Sequence, residues 1–249
     1  MKNAVYFEIK QTLNTRNMLA VISIVILALL SSVDMLLSLF PITSLQPDGY
    51  HTYFTVSTLG SNTLAPFVPI YAAIPYATCY IDDIKSKYVR FYLIRTKYIM
   101  YIINRILVCF LSGYLIIFIG DILVWGMFTL LLMPLEKAGE SSRQAAFLLL
   151  RTCVLMSMNG GLWAVIGMTM SAFMESKYIA HASPFIIYYL LVILCERYFP
   201  NAILLYPPNW TKPDVWPFGT LGAVLFLLEL TTICGIVFIM RAGKRLREL

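Results

Sequence analysis

Residues 105–133 read RILVCFLSGYLIIFIGDILVWGMFTLLLM, and after Arg105 the only charged side chain among them is Asp121. A helix rises 1.5 Å per residue and the hydrocarbon core of a bilayer is ~30 Å thick, so ~20 such residues suffice to cross it. Five further stretches are similarly poor in charge: 17–40, 63–81, 152–174, 179–195 and 218–240. Inside lipid the backbone has no water to bond to, so a run of this kind must pair its own N–H and C=O groups as a helix. The sequence therefore predicts an all-α polytopic membrane protein with six transmembrane helices.

Composition leads the same way. Of 249 residues, 59% are hydrophobic and 13% charged, against ~25% charged in a typical soluble domain. Six spans leave no segment long enough for a separate soluble domain. The expected organisation is an N-terminal interfacial or cytoplasmic segment (1–16), one transmembrane domain (17–240) and a basic cytoplasmic tail (241–249). The first apolar run is longer than the core of a signal peptide and ends without a small-residue cleavage site, so it reads as a retained span.

Orientation follows from the basic residues. Lys2, Lys10 and Arg16 precede the first span. Lys85, Lys87, Arg90, Arg95, Lys97 and Arg105 lie between the second and third, Lys177 between the fourth and fifth, and Arg241, Lys244, Arg245 and Arg247 after the sixth. Fourteen of the nineteen lysines and arginines thus fall on one side. Both termini are expected to be cytoplasmic, with the net charge of +6 facing anionic lipid rather than nucleic acid.

Four local features stand out. Pro66, Pro69 and Pro75 interrupt the second span, each removing an N–H. Residues 82–97, DDIKSKYVRFYLIRTK, place two acids before a series of bases, as suits a helix dipole, and set Val89, Tyr92, Leu93 and Thr96 on one face. Such a basic amphipathic helix can lie on lipid headgroups or dock on a cytoplasmic partner. In the fourth span Gly160, Ala164, Gly167 and Ser171 form a small-residue face suited to close helix contact. Residues 196–217 mix tyrosine, tryptophan and proline; they read as a short re-entrant segment between helices five and six, with a flat interfacial loop as the alternative.

Three acids lie within spans. Glu229 is twelve residues from both Pro217 and Arg241, roughly 18 Å from each end. Asp121 is sixteen residues from Arg105, roughly 24 Å up, and Asp34 eighteen residues from Arg16, roughly 27 Å up. A central acid is costly in lipid and should face the bundle interior or water, which makes Glu229 the first pathway or interface candidate, with Asp121 and Asp34 behind it. The five cysteines are scattered through the spans with no metal spacing. HExxH, GxSxG and GxxxxGK[ST] are all absent, so the chain is expected to be no enzyme, to hold no metal or other cofactor and to bind no ATP itself.

The six spans, the interfacial N-terminal segment, the basic helix between spans two and three and the outer re-entrant loop resemble the ABC-2 type permeases, the membrane subunits of bacterial ABC exporters. The likeness centres on Arg90-Phe91-Tyr92-Leu93-Ile94-Arg95 followed by Lys97-Tyr98-Ile99, and on Leu205-Tyr206-Pro207-Pro208-Asn209-Trp210. Where the family often has Gly-Thr before the first arginine, this chain has Tyr88-Val89, and Arg105 stands where a lysine is common. The resemblance implies a coupling helix, carried here by Lys87, Tyr88, Arg90, Phe91, Tyr92 and Arg95, that docks on a separate ATP-binding cassette ATPase holding ATP and Mg. It also implies a second permease chain, identical or different, a bacterial cytoplasmic membrane, and export of an amphipathic peptide, antibiotic or lipid-like molecule. A membrane scaffold or sensor subunit of a peptide-sensing complex is the alternative.

Overall fold

The computed structural model describes residues 15–39, 45–89, 98–137 and 142–247. These form α1 (Thr15–Leu37), α2 (Tyr50–Leu59), α3 (Val68–Ala73), α4 (Cys79–Lys85), α5 (Tyr98–Leu132), α6 (Ser142–Met174), α7 (Lys177–Arg197) and α8 (Thr220–Arg247), joined by short 3-10 turns. Among the described residues there is no strand, only one bridge between Gln46 and Glu136. Five helices, α1, α5, α6, α7 and α8, are long and apolar enough to cross a membrane.

The centre of the fold is the pair α5–α6, which share the most extensive contact and are packed by every other helix between them. Tyr101, Arg105, Val108, Ser112, Ile116, Gly120, Val124 and Phe128 repeat at three- and four-residue steps along the buried side of α5. Small residues let the two backbones approach. A Cβ at Gly113 would stand 2.7 Å from Cβ of Ala164, and one at Gly160 would stand 2.6 Å from Cγ1 of Ile117. Cys109 donates from Sγ to the Ala164 carbonyl at 3.4 Å. Further along α6, a Cβ at Gly167 would stand 2.5 Å from the Ala180 carbonyl of α7 and 3.4 Å from Cβ of Ala77. Lipid tails are as apolar as leucine, so contact of this closeness, rather than burial from water, drives helix association in a membrane.

Residues 63–81 are not one helix. They comprise a 3-10 turn (Ala65–Phe67), α3, a turned stretch at 74–78 and the start of α4. Proline dictates the pieces. Pro66 and Pro69 each sit in the first turn of their element, where a missing N–H costs nothing, and Pro75 lies in the turned stretch. The broken segment nevertheless runs antiparallel along α5. Leu64 meets the level of Asp121, the Ala72 carbonyl lies 3.3 Å from where a Gly113 Cβ would stand, Tyr76 reaches Arg105, and Asp83 reaches Tyr101. From Asp121 to Tyr101 is twenty residues of α5, about 30 Å, one hydrocarbon thickness.

Residues 41–62 lie between the first two apolar stretches. Residues 50–59 form α2, which buries Thr52, Phe54, Thr55, Thr58 and Leu59 against α5 and α6. Phe54 meets Phe128 edge-on with centroids 4.9 Å apart. Pro47-Asp48-Gly49 turns the chain into this helix, and Gly49 takes the left-handed conformation (φ +75°) that glycine adopts without strain. The Glu136 carboxylate caps this helix. It accepts the backbone N–H groups of Gly49 and His51 and lies 2.8 Å from Nδ1 of His51, the placement a helix N-terminus favours for an anion.

Residues 198–217 fold inward as three 3-10 turns. Trp210 is buried, stacks on Trp163 of α6 at 5.5 Å and meets Phe226 of α8 edge-on at 5.8 Å. Trp163 also faces Tyr188, nine residues before Arg197 and therefore ~13 Å in from that end of α7. Nε1 of Trp210 donates to the Leu204 carbonyl at 2.8 Å, closing the loop on itself.

Candidate functional site

The broken segment carries polar groups at both ends, and these are the chemical features of the bundle. At the end near α4, the Arg105 guanidinium lies 2.7 Å from Oδ2 of Asp83 and donates to the Tyr76 hydroxyl. Tyr101, one turn before Arg105, donates to the same Asp83 oxygen at 2.6 Å. The guanidinium also sits over the rings of Tyr101 and Tyr76, at 5.3 and 5.8 Å from their centroids. Tyr101 and Arg105 reach the site together because i and i+4 share a helix face. The side chains of Arg105 and Asp83 are 5% and 15% exposed. Two exposed pairs surround this buried one: Lys177 of α7 with Asp82 of α4, and Arg245 of α8 with Glu175 at the end of α6 at 2.8 Å. Thus α4, α5, α6, α7 and α8 are all pinned at one end of the bundle.

The chain leaves this cluster in an exposed turn. Lys85, Ser86, Lys87 and Tyr88 are exposed, and Lys87 adopts φ +58°, unusual for a residue with a side chain. Of the candidate coupling residues only Lys87 and Tyr88 belong to the described structure. Arg90, Phe91, Tyr92 and Arg95 lie outside the described residues, as does the segment 1–14.

At the other end of the broken segment is Asp121. It is 3% exposed, and its Oδ2 has no hydrogen-bond partner among the described residues. It borders a cavity of about 30 Å³ walled by Ile24 of α1, Ile117 of α5, Met156 of α6, and Leu64, Phe67 and Tyr71 of the broken segment.

The three intramembrane acids therefore differ by face as well as by depth. Asp121 points inward. Asp34 and Glu229 lie on exposed faces of α1 and α8, Glu229 beside the exposed Leu225, Leu228 and Ile233. Burial thus orders the three acids differently from depth: within one chain Asp121 is buried, whereas Glu229 and Asp34 are exposed. Gly160, Ala164 and Gly167 face α5, α7 and the broken segment, and Ser171 is fully buried on the same helix. Two clusters escape a reading by sequence motif. Arg105 counts there only as an inside charge, although its i,i+4 tyrosine and the preceding acid pair were a signal. His51 and Glu136 are far apart in sequence and carried none. Among the described residues no group of three or more His, Cys, Asp and Glu side chains is arranged to hold a metal ion.

No protein-family model matches the chain, and no curated protein or solved structure gives a significant match.

Proposed function

We propose that the chain is the permease subunit of an ATP-driven exporter in a bacterial cytoplasmic membrane, working with a separate ATP-binding cassette ATPase and a second permease chain. In this reading the chain crosses the membrane six times, residues 63–85 making the second crossing in pieces. Both termini are cytoplasmic, and 196–217 is re-entrant on the outer side. The length of the run along α5 supports the second crossing, and the inward position of Trp210 supports the re-entrant segment.

The observation that carries the reading is the buried Asp83–Arg105 pair, placed between a break in the second crossing and the basic residues 85–97. A segment pushed by a cytoplasmic motor needs a stiff joint to the bundle, and the pair joins α4 to the central helix. ATP-driven closure of the partner would move 85–97, and α4 and α5 would follow together.

The test is capture of the tagged full-length chain from native membranes. An ATP-binding subunit should co-purify, and the variant Phe91→Ala/Arg95→Glu should lose it while remaining in the membrane, because aromatic and arginine anchors dominate interfaces. Absence of any ATPase from the wild-type capture would overturn the reading.

A further inference from the structure

We propose that the Asp121 cavity is a binding site for a primary ammonium group. Three observations converge on it. Asp121 brings a carboxyl oxygen with no partner among the described residues to the wall of the cavity. None of the ion pairs among the described residues involves it. The lining includes the rings of Phe67 and Tyr71, stacked with centroids 6.5 Å apart, and aromatic faces attract cations.

Size and chemistry select the ligand. About 30 Å³ exceeds the space needed for one water, roughly 10–15 Å³, but is too small for a branched quaternary head. The remaining walls are aliphatic side chains and Met156, so a divalent ion would lack the six or more oxygens it requires. An –NH3+ group needs one strong acceptor and tolerates apolar contact around its carbon stem. Leu64, Phe67 and Tyr71 of the broken segment line the same space. Assigning the amine to the transported molecule, an amphipath bearing a primary amine, rests on the permease reading; the site itself does not.

Perfusion-induced infrared difference spectroscopy on the full chain in lipid tests this without an ATPase or transport. Methylammonium should produce a carboxyl-region difference band with saturable dose dependence, and methanol and tetramethylammonium should not. Asp121→Asn removes the responding carboxyl and should abolish the band. Leu64→Phe keeps the carboxyl but fills the cavity, and should abolish the band. No band in the wild type, an equal band with methanol, or an unchanged band in either variant would overturn the proposal. Since ATPase capture is a separate measurement, either reading can fail while the other stands.

Discussion

Burial decides which ion pair matters at the residue scale. Lys177 and Asp82 keep 50% and 44% of their side chains exposed, whereas Arg105 and Asp83 keep 5% and 15%. Exposed pairs contribute ~0–1 kcal/mol, while removing one partner of a buried pair costs ~3–5 kcal/mol because the other charge stays behind unpaired. Arg105→Met should therefore destabilise the protein by ~3–5 kcal/mol, and Lys177→Met by no more than ~1 kcal/mol, measured by denaturant unfolding in lipid nanodiscs. Equal losses would contradict the assignment of Asp83–Arg105 as the joint. The pair was only half legible in the sequence. Its members were visible as an acid after one apolar run and a base inside the next, but their meeting depends on how the intervening chain returns. The same limit governs the intramembrane acids. Counting residues gives depth, yet whether a residue faces inward depends on which helices pack on its element, so Glu229 and Asp121 could be placed in height but not in direction.

At the scale of elements, the small residues of α6 have partners that spacing could not name. Gly160 and Ala164 meet Gly113 and Ile117 of α5, and Gly167 meets Ala180 and Ala77. Gly113→Ala forces a methyl to within 2.7 Å of Cβ of Ala164 and 3.0 Å of the Gly160 carbonyl, an overpacking of ~1–3 kcal/mol. Gly126 on the same helix has nothing within 4 Å, so Gly126→Ala should be neutral or stabilising by up to ~1 kcal/mol through helix propensity. The same unfolding assay compares them, and a Gly113→Ala protein as stable as wild type would remove the close α5–α6 contact. The second apolar run shows what periodicity and composition miss. Its hydropathy reads as a crossing in the sequence and its prolines as an interruption, but the position of the break at 74–78 depends on Pro66 and Pro69 being absorbed in first turns. Likewise α2 carries no charged residue and no strong moment, so only its packing on Phe128 and the Glu136 cap reveal it as a helix.

For the whole molecule, the charge asymmetry sets a topology that labelling can check. Ser86 and Lys244 are exposed at the end of the bundle pinned by the ion pairs, and Asp214 is exposed in the loop at the other end. In intact cells a membrane-impermeant maleimide should label Asp214→Cys but neither Ser86→Cys nor Lys244→Cys until the membrane is opened. External labelling at Ser86→Cys would reverse the orientation. The exposed Glu229 belongs to this scale too: a carboxylate on the outer face of an apolar helix is costly against lipid, and a second permease chain is the neighbour the permease reading supplies. The central claim is that residues 85–97 hand the force of a partner ATPase to the bundle. Its most direct test is photo-crosslinking from benzoylphenylalanine placed at Phe91 in native membranes. The account expects an adduct with an ATP-binding subunit that disappears when Arg95→Glu is added. Crosslinks to lipid alone, or an adduct unchanged by Arg95→Glu, would contradict it.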